Sequence, residues 1–268
     1  MKDVREEWYD GEKKIAVTFV DVAGPAQILA RGHLCGPTSA HFLAEALAAA
    51  ALLGAEISEK DETVSVQMKC TGPLGGFNVE CTAAGTLRGY TEKKILDDFD
   101  GMGAPSAKRV IGESRIQVTR SVPGRIVSQG ISGSLDGYLA GSLQRKARMF
   151  LEAAVTDDVK IVEARGVLVE ALPDSALDVS SVVAPLEAKS RKVSLAVAPR
   201  NILKKLGLDR AELRKTTPLS FACRCSPERA AAMVSALGEG GGSGTVDVTC
   251  HMCGRTFTVP CGGAKKGE

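Results

Sequence analysis

The chain has 268 residues, of which 44% are hydrophobic and 25% charged, a balance that excludes both a disordered and a membrane-embedded polypeptide. The length allows one large domain or two of ordinary size. Lys and Arg number 34 against 32 Asp and Glu, and the resulting formal charge of +2 offers no strongly basic surface for nucleic acid.

Aromatic residues make up only 4%, with a single Trp at position 8, so the core must be mostly Val, Ile, Leu and Ala. The start, Met1 to Trp8, is highly charged and lacks the apolar run of a signal peptide. The longest apolar stretch, Phe42–Leu53, falls short of the roughly 20 residues of a membrane span. The expectation is a soluble cytoplasmic protein with no membrane partner.

In chain order, Lys14–Val20 is β-rich. Gly36-Pro37-Thr38 introduces an apolar helix that runs to Leu53, with Thr38 or Ser39 as N-cap and Gly54 as its stop. Thr63–Lys69 alternates with period two, and Phe77–Cys81 and Leu87–Tyr90 follow across Gly/Pro turns, which predicts an antiparallel meander. Asp97–Ser106 is a Gly-rich loop, and Arg115–Thr119 and Arg125–Val127 form a strand pair around Pro123-Gly124. Ser134–Ala154 is expected to be a helix capped by Ser134, and Val159–Val162 and Val167–Leu172 to be strands. Strands and helices in blocks rather than a βαβ repeat define an α+β fold.

Past residue 173 the texture changes. Pro173, Pro185 and Pro199 interrupt an Ala-, Ser- and Val-rich stretch with helical potential and little sign of a second large core, and Asn201–Lys215 has the composition of a charged helix. Boundaries near 173 and 218 give an N-terminal α+β domain (1–173), a helical linker (174–217) and a small C-terminal domain (218–268). In the last of these, Pro227–Leu237 is expected to be helical and Gly238–Gly244 a Gly-rich bridge.

A reducing compartment disfavours stable structural disulfides among the eight cysteines, and five of them fall in the last 46 residues. Cys223-Arg-Cys225 and Cys250-His-Met-Cys253 are two pairs separated by 24 residues. Four thiolates brought together form a tetrahedral soft-ligand site that favours one zinc ion, with iron as the lesser choice. Val246–Phe257 places the second pair between two β-rich segments, with Gly254 at the turn. A module of this size cannot bury enough surface to fold securely alone, whereas structural zinc supplies about 10–16 kcal/mol. Taken alone, the spacing favours an inert structural ribbon. A C-x-C pair also closes a small, strained ring when oxidised, which suits a reversible switch.

Pro218-Leu-Ser-Phe-Ala-Cys-Arg-Cys-Ser-Pro-Glu-Arg229, then Leu237-Gly238, then Val248-Thr-Cys-His-Met-Cys-Gly254 resemble the redox-regulated chaperones of the 33-kilodalton heat-shock protein family. The resemblance extends to Glu45–Gly54, Gly72–Gly76, Leu87–Tyr90 and Gly166–Pro173, in the family's order. It implies an ATP-independent holdase, not an enzyme, that is inactive when reduced and zinc-bound. It also implies that oxidation pairs Cys223 with Cys225 and Cys250 with Cys253 and that the zinc leaves. The linker then unfolds to expose apolar surface for unfolding client proteins, and the active form dimerises. The sequence departs from the family at Ser142-Leu143-Gln144, at Arg165-Gly166 and in the short Gly-rich spacer.

The remaining candidates carry less chemistry. Cys35, Cys70 and Cys81 are expected to be small buried hydrophobes, and Cys261 an exposed thiol in a loose tail. His251 lies inside the second pair but four thiolates already fill a tetrahedral shell, and His33 and His41 have no catalytic partner at a suggestive spacing. Gly72–Gly76 opens no helix, which argues against a phosphate cradle. Two other classes compete with the chaperone reading. A zinc-ribbon nucleic-acid binder is disfavoured by the near-neutral charge, and a thiol–disulfide oxidoreductase would need its C-x-x-C at the start of a helix.

Overall fold

A helix that is apolar on every side is stable only with partners all round it, and this requirement organises the fold. The computed structural model describes residues 2–103, 105–187, 194–236 and 244–261. Helix α2 (Pro37–Leu53) follows α1 (Ala23–Gly32), and 14 of its 17 residues are buried. With the turn after it, α2 is long and apolar enough to cross a membrane, yet 83% of that stretch lies inside the protein. Its N-cap is Gly36 rather than Thr38 or Ser39, and the missing side-chain acceptor comes from a distant loop, where Asp100 Oδ1 accepts from the Thr38 amide at 2.8 Å.

Two sheets enclose α2 in an α+β arrangement. The first contains β1 (Val4–Asp10), β2 (Ile15–Asp21), β8 (Lys146–Val155), β9 (Ile161–Ala171) and β10 (Glu212–Pro218), in the order β10-β1-β2-β9-β8. Every neighbouring pair is antiparallel. The second contains β3 (Thr63–Cys70), β4 (Gly76–Thr82), β5 (Thr86–Thr91), β6 (Ser114–Val122), β7 (Arg125–Ser132) and the two-residue β11 (Ser220–Phe221), in the order β11-β5-β4-β3-β6-β7. The expected meander is β3-β4-β5. Val64, Val66, Met68, Val79, Cys81 and Leu87 of the meander, with Val118 of β6, turn a buried face towards the helix. Short helices α3 (Ala107–Val110) and α4 (Leu135–Gly141) flank β6 and β7 in the chain.

Four expectations are corrected. Ser134 caps a helix, its Oγ accepting from the Gly137 amide at 3.0 Å, but that helix is α4 and stops at Gly141; residues 146–155 are strand β8. The helix-forming residues of β8 are held extended by ten register pairs with β9, a tertiary override of propensity. The two strands expected between 159 and 172 are one, β9. Asn201–Lys215 is not one helix: α6 (Pro199–Lys205) ends at Gly207, which has φ +70, and the chain then extends into β10 against β1. The stretch after 173 also shares a large core. Val179, Val182 and Val183 of α5 (Val179–Glu187), Ile202 and Leu203 of α6, and Leu208 cover Trp8, Ile15, Val17, Phe19, Val167 and Val169 on the outer face of the first sheet.

The C-terminal module contains α7 (Pro227–Ala236) and the hairpin of β12 (Thr245–Thr249) and β13 (Thr256–Pro260). Most of the expected Gly238–Gly244 bridge, and Leu237 of the expected helix, lie outside the described residues. Cys261 is half-buried rather than exposed, its amide bonded to Gly244 O at 2.8 Å.

Backbone contact sets how closely the module approaches the core. Gly254 has φ +73, and a Cβ there would lie 2.0 Å from Gly32 O at the end of α1. Replacing Gly254 by Ala therefore combines left-handed strain with a backbone clash, and it should weaken docking by about 1–3 kcal/mol. Faster amide exchange at His33 and Gly89 in the folded protein is the readout; wild-type exchange would contradict the packing. In the core, Leu47→Ala should cost about 2–5 kcal/mol in denaturant unfolding, because Leu47 is fully buried.

Candidate metal centre

The chain delivers two thiols from each of two short segments. Leaving β10, it crosses to the second sheet, where Ser220 and Phe221 lie parallel to Thr86 and Leu87 of β5. Cys223 and Cys225 follow directly. The hairpin supplies the other two: β12 leads into Cys250, the turn carries His251 and Met252, and Cys253 precedes Gly254 before β13 returns. The Cys250 carbonyl accepts from the amides of Cys253 at 3.3 Å and Gly254 at 2.8 Å, closing a tight knuckle that aims both sulfurs the same way.

All four sulfurs of Cys223, Cys225, Cys250 and Cys253 lie within 4.8 Å of one another. Cys223 and Cys250 are 3.8 Å apart, and Cys225 and Cys253 are 3.5 Å apart. The residues singled out by spacing are thus brought together from both segments. Burial by itself would raise the Cys223 thiol, but the Cys225 amide, the Arg88 guanidinium and the adjoining thiols offset it and hold Cys223 at about 7. Burial raises Cys225 and Cys253, and hydrogen bonding to neighbouring sulfurs raises Cys253 further. Four sulfurs packed this closely cannot all ionise without a cation between them, because each new negative charge opposes the next. The donor set therefore fits a soft divalent metal ion in tetrahedral coordination.

The surroundings anchor the site to the core. Met252 O accepts from the Gly89 amide of β5 at 3.0 Å, and the His251 ring stacks on Tyr90 with centroids 4.8 Å apart. Arg88 Nη1 donates to Cys223 Sγ at 3.8 Å. His33 is held at about 4 by burial and the nearby Lys94 charge, so its ring is neutral. Its Nε2 lies 3.0 Å from Gly89 O, and since a carbonyl only accepts, Nε2 carries the proton. His33 therefore anchors the strand that receives the module. Arg88, Tyr90 and His33 were invisible as site residues in the sequence; the Leu87–Tyr90 motif was the one available signal.

The other candidates stay apart. Cys35 and Cys81 are buried in the core, where burial raises both thiols, Cys81 to about 11. Cys70 is only half-buried, at the end of β3. His41 sits on α2, 3.4 Å from Glu45. The C-x-x-C lies in a β-turn, not at the helix start that an oxidoreductase of thioredoxin type requires.

Comparison with known proteins bears on the whole of this arrangement. The 33 kDa chaperonin of Bacillus pumilus is 24% identical over 93% of this chain and 91% of its own length. That of Symbiobacterium thermophilum is 29% identical over 85% of this chain and 84% of its own. In three dimensions the chain resembles the crystal structure of the 33 kDa chaperonin (heat shock protein 33 homologue) of Thermotoga maritima, with a TM-score of 0.82 and 17% identity, covering 97% of this chain and 95% of the other. The family model described as Hsp33 protein matches residues 8–260, and the chain belongs to the Hsp33 family of chaperones.

Proposed function

We propose that this chain is a redox-regulated, ATP-independent holdase that captures unfolding proteins under oxidative stress in the cytoplasm. The observation that carries the reading is the cluster of four thiols at the base of a module with almost no core of its own. Among the described residues, the hydrophobic cluster that the module forms by itself consists of Ala230, Val234 and Val259. Zinc, when bound by Cys223, Cys225, Cys250 and Cys253, supplies the cross-link that such a module lacks, about 10–16 kcal/mol in comparable cases.

The switch follows from thiol chemistry. A thiolate attacks hydrogen peroxide, the O–O bond breaks with loss of hydroxide, and the neighbouring thiolate attacks the resulting sulfenic sulfur, expelling a second hydroxide and forming the disulfide. Each disulfide takes two electrons from the pair and, with two protons from solvent, leaves two waters. Pairing of Cys223 with Cys225 and Cys250 with Cys253 would use two peroxides and leave no thiolate to hold a metal ion, so the stabilisation that such an ion supplies would be lost.

The segment 174–217 connects this event to client capture. It lies between the 1–173 core domain and the 218–268 module, and its helices cover Trp8, Ile15, Val17, Phe19, Val167 and Val169. Release of this cover would expose apolar surface of the kind that unfolded chains bind. The uncovered apolar face would also favour a homodimer of the oxidised form. Nucleic acid has no place in the scheme, given the +2 charge.

Light scattering from a thermally aggregating client tests this directly. The peroxide-treated protein should suppress aggregation, the zinc-loaded reduced protein should not, and dithiothreitol should reverse the effect. Equal suppression by both forms would mean a constitutive holdase, and none by either would sink the chaperone reading. Zinc analysis of the reduced chain should give one ion per chain. Cys250→Ser should lower that occupancy sharply and increase protease sensitivity in 218–268 while leaving the core intact; full occupancy would remove Cys250 from the ligand set.

A further inference from the structure

Besides the β11–β5 backbone pairing, in which the Ala222 amide donates to Leu87 O at 3.3 Å, the hairpin and the first thiol pair touch β5 through contacts of two kinds. The Gly89–Met252 backbone bond and the Tyr90–His251 stack are neutral, and neither involves a sulfur. The third contact, Arg88 to Cys223, joins a permanent cation to a sulfur whose charge depends on its redox state.

Arg88 is built to stay where it is. Glu80 and Arg88 are directly opposed across β4 and β5. Glu80 Oε2 accepts from Arg88 Nε at 2.8 Å and lies 2.6 Å from Nη2, which fixes the guanidinium plane and leaves Nη1 for Cys223. Both side chains are largely screened from water, at 17% and 18% exposure, so the charge interaction is attenuated less than at an open surface. Arg224, between the two thiols of the first pair, reaches the same Glu80 oxygen at 3.7 Å. Glu80 is thus shared by an arginine of the sheet and an arginine of the module.

We propose that Arg88, held in place by Glu80, is a positioning residue that senses the redox state of Cys223 and keeps the module docked on β5 only while that sulfur is a thiolate. The inference rests on the reading that the four thiolates are the switch. A thiolate accepts a charge-assisted hydrogen bond from the guanidinium; a disulfide sulfur carries no charge and accepts weakly. The two-electron oxidation of the Cys223–Cys225 pair therefore removes the attraction at the same moment as it removes two metal ligands. Among the described contacts between β5 and the module, this is the one whose charge changes on oxidation. Arg88 would make undocking follow directly from the chemistry at Cys223.

The test uses the full chain, reduced and zinc-loaded, without any client. Amide exchange at Gly89 is the readout, alongside zinc content. Wild-type Gly89 should be protected when reduced and should exchange freely after peroxide treatment. Arg88→Met should still bind one zinc per chain but exchange about tenfold faster at Gly89 in the reduced form, the effect of losing one charge-assisted hydrogen bond. Arg88→Lys, which keeps the charge, should recover most of the protection. Wild-type protection in Arg88→Met, or Arg88→Lys as loose as Arg88→Met, would overturn the proposal. If Arg88→Met does not fold, Glu80→Gln decides: it leaves Arg88 in place but unclamped, and unchanged exchange at Gly89 would overturn the role. A wild-type chain that shows this exchange pattern yet suppresses no aggregation would sink the holdase reading and leave the Arg88 contact standing.

Discussion

Mutual repulsion among four sulfurs held within 4.8 Å is the constraint on which the C-terminal module turns. Cys223, Cys225, Cys250 and Cys253 come together only because the crossing at Ser220–Phe221 and the β12–β13 hairpin deliver them to one point. A cation relieves the repulsion and links the two segments, and disulfide formation relieves it by removing the charges. These two solutions are mutually exclusive, and the proposed switch rests on that exclusion. The modest apolar cluster of Ala230, Val234 and Val259 makes the choice consequential, since little else holds the module together.

The core has the opposite character. Helix α2 is enclosed by two sheets, and its termini are satisfied by groups far away in sequence: Asp100 at the Thr38 amide, and buried Arg5 donating to Ala51 O at 3.1 Å. Such a body can remain folded while its surroundings rearrange. The segment from α5 to β10 is intermediate: its apolar side chains pack well on the first sheet, but it forms only one layer there. In the switch proposed above, a platform, a cover and a latch therefore follow one another in chain order.

Much of this was legible in the sequence, and the exceptions have physical causes. The meander, α2 and the C-x-x-C hairpin show strong periodicity or fixed ligand spacing, and all three are found as expected. Strand β1 was hidden because its buried positions include Arg5 and Asp10, which no hydrophobic pattern reveals. Strands β8 and β10 are rich in helix formers and take their conformation from their partners β9 and β1. Helix α1 begins Ala23-Gly-Pro, which reads as a turn, although proline is well suited to a first helical turn. At the site, the four thiols were evident, but Arg88 and His33 act through contacts more than 50 residues apart in sequence, to Cys223 and to Gly89, and Glu80 acts by holding Arg88 across the β4–β5 pair.

The junction between cover and latch also has a mechanical meaning. Strand β10 is an edge strand, and its last residue, Pro218, pairs with Val4 only two residues before the chain crosses to β5. A pull from the module therefore loads the β1–β10 ladder at one end, as a zip is opened, and its bonds part in sequence instead of sharing the force. The irregularity between Glu7 and Trp8 divides that zip into a stretch nearest the module, from Val4–Pro218 to Glu7–Lys215, and a shorter one beyond it. Tension arising at the metal centre thus reaches the nearer stretch first, and the bulge marks the point where peeling must restart.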